Sequence, residues 1–342
     1  MANELIHLEN DYSECAHPAI LERIARENTT SRSGYGVDDA CDSAAAKIRG
    51  LIGRDDADVH FLIGGTSVNL IALAAFLRPH EAIICAEQAH INVHETGAVE
   101  ASGHKLLTAS TTDGKLTPEL VELLYSKQTD EHMVKPRLAY ISNATELGTV
   151  YTADELRKLR GCCDALNLLL YMDGARLGSA LAASDLEWTH LPRYLDAFYI
   201  GGTKNGALFG EAMVIINDAL KPDFRYLIKQ RGGMLAKGFL LGHQFDVLFE
   251  DDLFLSLARH ANRIADGLRA ALVAKGVRFL VETQTNMLFP ILPNEWVAKL
   301  RKRFAFHDAE RISNTETAVR LVASWASPES IVDEFAACVN QL

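Results

Sequence analysis

The sequence predicts an α/β protein in which helices cover a mostly parallel β-sheet and a smaller α+β domain follows. Six short apolar runs are separated by longer amphipathic segments, an alternation typical of parallel strands between helices. After about residue 245 this alternation gives way to a long helical stretch and two further apolar segments. We therefore expect an N-terminal arm and large domain over residues 1–245 and a small domain over 246–342.

Each predicted strand is a short apolar run with a polar or glycine-containing boundary. In chain order the runs are VHFLI (59–63), AIICA (82–86), RLAYIS (137–142), LNLLLYMD (166–173), DAFYI (196–200) and EAMVII (211–216). Helical patterns lie between them in SVNLIALAAFL and TADELRKLRGCCDAL. The small domain opens with DLFLSLARHANRIADGLRAALVAK, continues with NMLFPILP and TAVRLVASW, and ends in the helix SPESIVDEFAACV. The arm before about residue 40 is expected to pack against either domain or a neighbouring subunit.

The composition favours a small-molecule partner. The chain has 342 residues, 48% hydrophobic and 23% charged, which suits a globular protein large enough for an active-site cleft. A net charge of -11 and a pI of about 5.6 disfavour nucleic acid and anionic membranes, since both need clustered Lys and Arg. No apolar run approaches the ~18 residues of a membrane helix. We expect a soluble, unprocessed protein.

The cysteines favour a reducing compartment. Six of them are scattered without a CxxC pair, at positions 15, 41, 85, 162, 163 and 338. This spacing indicates buried thiols in the cytoplasm, and neither a disulfide framework nor a zinc site is expected.

Residues that directly follow the apolar runs are candidates for a site, because ligands bind at the carboxyl ends of parallel strands. Gly65 and Thr66 follow the first run and precede a helix. Free N–H groups there and the Thr66 hydroxyl could bind a phosphate, or the segment could be a capped turn. Neither GxGxxG nor GxxxxGK[ST] occurs, so this is no nucleotide motif.

Three further residues in such positions carry possible chemistry. Asp173 ends the most apolar run and could pair with a protonated ring nitrogen, pair with Arg176, or cap a helix. Lys204 in YIGGTKNG would, if desolvated, be a neutral amine able to form a Schiff base, although a lone lysine commonly extends into solvent. His90 could stack on a flat cofactor or begin a helix. A metal site shared with His94 lacks a third ligand nearby, and no metal is expected.

Together these residues match one cofactor. Pyridoxal phosphate requires a phosphate anchor, a carboxylate beside its ring nitrogen, a stacking side chain such as imidazole and a lysine that forms a Schiff base. The sequence therefore predicts a pyridoxal phosphate site.

The same segments resemble the threonine aldolase family, also described as aromatic amino acid β-eliminating lyases. The resemblance runs nearly end to end, through NDYSECAHPAI, SGYGVDDA, GGTSVNLIAL, AEQAHINVHETGA, MDGARLGSAL, YIGGTKNG and AVRLVASW. It implies the fold-type I architecture of pyridoxal phosphate enzymes, with a mostly parallel seven-stranded sheet, flanking helices and a small C-terminal α+β domain.

The resemblance also implies roles around the cofactor. Lys204 would form the Schiff base, Asp173 would pair with the pyridinium nitrogen, and His90 would stack on the ring. The phosphate contacts implied are Gly65, Thr66 and Thr203. The basic residue expected after QRGGMLAKG is shifted, so Arg231 or Lys237, from this or a neighbouring subunit, would complete the phosphate site.

Other roles concern the substrate. The resemblance implies that Arg176, beside the cofactor, and Arg320, in the small domain, bind the substrate carboxylate, so that binding couples to domain closure. Asn10 stands where the family often has a serine contact. Tyr35 is a candidate to reach a neighbouring subunit, or is a turn aromatic between two glycines. Where many members have a histidine, SNATELGTV offers Glu146, a carboxylate able to accept the β-hydroxyl proton.

The predicted activity is aldol cleavage of L-threonine or L-allo-threonine to glycine and acetaldehyde, with Glu146, a histidine or water as the base. A β-eliminating lyase or an aminotransferase on the same scaffold is an alternative, since fold does not fix reaction. A non-catalytic amino-acid-binding protein is another. The resemblance implies a homodimer or homotetramer with sites at the interface.

Overall fold

The computed structural model describes residues 5–342, which form 14 strands and 14 α-helices. The strands are β1 Ile6–His7, β2 Asp58–Leu62, β3 Glu81–Ala86, β4 Lys105–Ala109, β5 Lys135–Ser142, β6 Leu169–Asp173, β7 Ala197–Gly201, β8 Glu211–Ile215, β9 Arg278–Phe279, β10 Met287–Leu288, β11 Pro290–Pro293, β12 Phe304–Ala305, β13 His307–Arg311 and β14 Glu316–Val322.

The helices connect and cover these strands. They are α1 Pro18–Arg26, α2 Asp39–Ile52, α3 Gly65–Phe76, α4 His90–Val93, α5 Ala98–Ala101, α6 Pro118–Ser126, α7 Ala153–Ala165, α8 Leu177–Ala183, α9 Leu191–Tyr194, α10 Phe224–Gln230, α11 Phe239–Leu248, α12 Leu253–Ala274, α13 Asn294–Leu300 and α14 Ser330–Asn340. Three short 3-10 helices lie at Trp188–His190, Thr203–Asn205 and Asp218–Leu220.

The central sheet has seven strands in the order β2-β8-β7-β6-β5-β3-β4. Only β8 runs antiparallel to its neighbours, β2 and β7, so the predicted mostly parallel sheet is confirmed. All six predicted strands are present. The residues of the seventh strand, β4, do not predict it, because this short edge strand mixes exposed and buried side chains and lacks a long apolar run.

Apolar side chains cover both faces of the sheet, which explains why its strands read as continuous apolar runs. In β6, Leu170 and Met172 face one buried cluster, whereas Leu169 and Tyr171 face the other. Helix α7 packs in the first cluster and α3 in the second. Both helices agree with the predicted segments, since an amphipathic helix on each face is what such a sheet requires.

The C-terminal region forms an antiparallel sheet in which β14 pairs with β10, β11 and β13. Helices α12 and α14 contribute to the core beside it. The N-terminal arm contacts both parts of the molecule: β1 pairs with β12, and α1 packs against α11.

Helix α12 belongs to two cores. Its first turns place Phe254 and Leu257 in a core of the large sheet, whereas Ile264 and Leu268 lie in the C-terminal core. The division of the chain between residues 245 and 246 therefore stays a prediction.

The six cysteines are all free thiols. Cys41, Cys85, Cys162 and Cys163 are buried as predicted and Cys338 is half-buried, but Cys15 is exposed, so the prediction is wrong for Cys15. It lies in the arm before α1, outside both hydrophobic layers. Over residues 5–342, no helix combines the length and the apolarity needed to cross a bilayer.

Candidate active site

The carboxyl edge of the central sheet opens into a cavity of about 520 Å³, within the range of roughly 300–1,000 Å³ usual for small-molecule sites. Predicted site residues from six separate segments line this cavity. They are Gly65, Thr66, His90, Glu146, Arg176, Thr203, Lys204 and Arg320. The structure therefore brings together most of the residues chosen from the sequence.

Lys204 lies in the 3-10 turn that follows β7. Its side chain is half-buried, and its Nζ atom has no hydrogen-bond or ion-pair partner among residues 5–342. The glycines before it allow close backbone packing: a Cβ at Gly201 would lie 2.4 Å from the carbonyl oxygen of Ala175, and one at Gly202 would lie 2.8 Å from that of Gly210. The two glycines therefore fix the turn that directs a free amine into the cavity.

Asp173 ends β6 and is buried behind the cavity wall. One carboxylate oxygen accepts hydrogen bonds from Tyr140 (2.6 Å) and Asn69 (3.0 Å), and the other from Tyr199 (2.5 Å) and the Ala175 N–H (3.0 Å). Burial by itself would raise the pKa of this carboxyl, but the bonds from Tyr140, Tyr199 and Asn69 hold the pKa below its usual value. Asp173 therefore stays ionised near neutral pH.

Helix α3 starts at the cavity without a side-chain cap. Its first N–H groups, at Gly65 and Thr66, have no partner within the helix and suit an anion. A Cβ at Gly65 would lie 2.9 Å from the hydroxyl oxygen of Tyr199, which is held by Asp173. Glycine is needed at this position because the tyrosine passes directly beneath the helix start.

His90 begins α4, and its ring is held by a buried carboxylate. Its Nδ1 lies 2.7 Å from Glu95, and Asn69 donates to both Glu95 (2.8 Å) and Asp173 (3.0 Å). Burial by itself would lower the pKa of His90, but the bond with Glu95 and the charge of Glu146 raise it above its usual value. In the described part of the chain, no group of three or more His, Cys, Asp or Glu could bind a metal ion.

Two arginines reach the cavity from different parts of the molecule. Arg176, after β6, is buried and donates to both oxygens of Asp11, which also accepts from Asn286 (2.9 Å). Arg320, on β14, donates through Nη2 to the Glu9 carbonyl (3.3 Å), and its buried Nε has no partner within residues 5–342. Arg320 therefore retains hydrogen-bonding capacity.

Glu146 lies where the cavity continues into a second one of about 780 Å³. Its carboxylate forms no hydrogen bond with any of the described residues. Glu146, His94 and Arg320 line both cavities, and the second is walled further by apolar side chains such as Leu280 and Phe289.

Besides Asp173, which is buried behind the wall, four predicted residues do not line the Lys204 cavity of a single chain. The Asn10 side-chain oxygen instead accepts from the Tyr12 N–H (2.9 Å). Tyr35 is exposed, has φ 64°, and lies beneath the Lys229 ammonium, 4.8 Å from the ring centre. Arg231 is half-buried and Lys237 is exposed. The roles of these four residues stay predictions.

The sequence patterns did not identify six residues of the site. These are Asp11, Asn69, Glu95, Tyr140, Tyr199 and Glu211. A signal existed for the tyrosines, because a buried hydroxyl in an apolar strand needs a partner. No such signal pointed to Glu211, since in the sequence it is only the polar first residue of a predicted strand.

The arrangement fits a flat, phosphorylated aldehyde. One cavity is surrounded by the Lys204 amine, the His90 imidazole and the start of α3, where an anion can bind. The ionised carboxylate of Asp173 lies behind its wall.

Comparison with known proteins gives concordant results. The family model of β-eliminating lyases matches residues 15–293. A low specificity L-threonine aldolase of Pseudomonas aeruginosa is 37% identical over 84% of both chains, and one from a Pseudomonas species is 35% identical over 94% of both. A solved structure of a Leishmania major threonine aldolase has a TM-score of 0.97 and 47% identity, and the match covers 98% of this chain and 99% of that one.

Proposed function

This chain belongs to the threonine aldolase branch of the β-eliminating lyase family, and from this premise we propose that it cleaves β-hydroxy-α-amino acids with pyridoxal phosphate. L-threonine or L-allo-threonine would give glycine and acetaldehyde. The observation that carries the proposal is the unpartnered Lys204 amine in a cavity backed by ionised Asp173.

The cofactor would be held by residues of the cavity wall. Lys204 would bond to its aldehyde carbon, Asp173 would face its ring nitrogen and His90 would lie against its ring. The phosphate would be bound at Gly65, Thr66 and Thr203. When bound, pyridoxal phosphate supplies an electron sink for the electron pair of the broken Cα–Cβ bond.

Substrate orientation is assigned to the two arginines. Arg176 is oriented by its paired hydrogen bonds to Asp11, and Arg320 approaches from β14. Two cations that bind one carboxylate would fix the orientation of the bonds at Cα, and orientation of this kind decides which bond breaks. The buried Asp11 keeps Arg176 in place before the substrate arrives.

Proton movement is assigned to Glu146. Its carboxylate lies in the cavity without a hydrogen-bond donor among the described residues, so it can accept the β-hydroxyl proton. The adjoining cavity, with Leu280 and Phe289 in its wall, offers space for the substituent on the β-carbon.

A second copy of the chain would complete the site. Several large apolar side chains are exposed, among them Tyr12 (54%), Tyr35 (46%), Ile63 (44%) and Val93 (50%). Two of them, Tyr12 and Ile63, also line the Lys204 cavity. Exposed apolar groups of this kind mark contact surfaces. Light scattering should give a mass of at least two chains, and a monomer would contradict this part of the proposal.

Product analysis tests the proposed activity. The loaded protein is incubated separately with L-threonine and L-allo-threonine. Glycine with stoichiometric acetaldehyde is expected, and the two rates give the stereochemical preference. Formation of 2-oxobutyrate and ammonia would show elimination, accumulation of pyridoxamine phosphate would show transamination, and no product would favour a binding protein.

A further inference from the structure

Glu211 is a buried carboxylate of the cavity wall that the proposed cleavage does not use. It opens β8, where its Cα pairs with Leu62 of β2 on one side and with Gly201 of β7 on the other. The segments that follow those two strands are the ones proposed to bind the cofactor's phosphate. Glu211 therefore lies between them.

Glu211 accepts a hydrogen bond from Thr203, which is one of the proposed phosphate ligands. Its Oε2 accepts from the Gly202 N–H (2.9 Å), and its Oε1 accepts from the Thr203 hydroxyl (2.8 Å). The Thr203 oxygen also accepts from the Gly210 N–H (3.0 Å). A hydroxyl has one hydrogen to donate. While Glu211 is ionised, that hydrogen is directed to the carboxylate and not into the cavity.

The surroundings of Glu211 favour its neutral form. Burial raises the pKa of Glu211 to about 7, against the lowering effect of the bonds from Thr203 and Gly202. The charged and titratable groups that face it are Lys204 after β7, which lowers the pKa, Asp173 at the end of β6, which raises it, and Tyr199 in β7. A phosphate carries nearly two negative charges above pH 7, so its arrival favours the neutral acid further.

We propose that binding of the cofactor's phosphate is coupled to the uptake of one proton by Glu211. The proton comes from solvent and binds Oε1, which then donates to the Thr203 oxygen. The Thr203 hydrogen turns from Glu211 to the phosphate, while its oxygen accepts from Glu211 and from the Gly210 N–H. Every donor and acceptor in this set is then used. The inference rests on the phosphate position given in the proposed function.

The test uses the protein freed of cofactor and 4-deoxypyridoxine 5′-phosphate, which has the phosphate but no aldehyde to react with Lys204. Unphosphorylated 4-deoxypyridoxine is the ligand control, because it shares the ring. Calorimetry at pH 8 in two buffers of different ionisation enthalpy gives the protons taken up per ligand. We expect close to one extra proton for the phosphorylated ligand and a Kd that weakens by up to about tenfold between pH 7.5 and 8.5.

The variant Glu211→Gln has an amide that can donate to Thr203 without taking up a proton. It should show no extra proton uptake and the same Kd at both pH values within about twofold. Glu131→Gln, at an exposed position that lines neither cavity, is the control and should behave as wild type. The wild-type measurement stands even where the Glu211 variant folds poorly.

Two results would overturn the proposal: no extra proton uptake by the wild type, or unchanged uptake by Glu211→Gln. If the phosphorylated ligand binds more tightly than the control but without proton uptake, the phosphate site stands and the coupling fails. If phosphorylation gives no gain in affinity at either pH, the phosphate position fails and the coupling fails with it.

Discussion

Arg176 donates to both carboxylate oxygens of Asp11, through Nε at 2.6 Å and through Nη2 at 3.1 Å. The two residues are 165 positions apart in the chain, and both are buried. The bond ties the N-terminal arm to the segment after the central strand β6. Since Arg176 lines the cavity, the arm takes part in shaping the site.

Asp11→Asn should destabilise the protein by about 3–5 kcal/mol, because it leaves the buried Arg176 charge without its partner. Urea unfolding measures the loss. Asp154→Asn, which breaks the exposed pairs with Arg157 and Lys158, is the control and should cost far less. An equal loss in both variants would contradict the role of the buried pair.

Tyr140→Phe should move the acidic limb of the kcat/KM profile to higher pH. The Tyr140 bond lowers the pKa of Asp173 by favouring its ionised form, so its removal raises that pKa and leaves less ionised Asp173 in acid. A hydrogen bond to a charged group contributes about 1.5–3 kcal/mol, enough for the movement of the limb to be measured. Tyr226→Phe, at an exposed tyrosine, should leave the profile unchanged. An unmoved limb in Tyr140→Phe would refute the assignment.

Gly65→Ala should lower the stability of the protein freed of cofactor by about 1–3 kcal/mol, because the new Cβ meets the held Tyr199 hydroxyl. Gly64→Ala is the matched control: its Cβ meets nothing within 4 Å and its backbone is extended. Thermal unfolding compares the two variants. Similar stabilities would mean that Tyr199 moves without cost.

Glu146→Gln should lower kcat by about 10²–10⁴, the usual contribution of a positioned base, with cofactor absorbance unchanged. Glu131→Gln removes an exposed carboxylate that lines neither cavity and should keep full activity. Turnover within twofold of wild type in Glu146→Gln would assign the proton to another group, such as His94 or water.

Much of the fold could be predicted because the central strands are buried on both faces. Such strands appear as uninterrupted apolar runs, and the residues at their carboxyl ends meet at one edge whatever the loop lengths. Lys204 and Thr66 could be chosen on that ground alone. Edge strand β4 could not be predicted in this way, because polar side chains such as Lys105 and Thr108 are tolerated at an exposed edge.

The supporting residues were harder to predict because their partners are distant in sequence. Asp11 meets Arg176, and Tyr199 meets Asp173, only after the sheet and the arm are assembled. Local patterns carry no information on such pairs. The proposed subunit contacts of Tyr35 are harder still to predict from the sequence, since they require a second chain.

The covalent attachment of the cofactor tests the account most directly. The protein loaded with pyridoxal phosphate is reduced with borohydride, digested and analysed by mass spectrometry. The reduced cofactor should be found on the peptide that contains Lys204, and Lys204→Ala should carry no label and form no glycine from threonine. A label on another lysine, or full turnover by Lys204→Ala, would contradict the account.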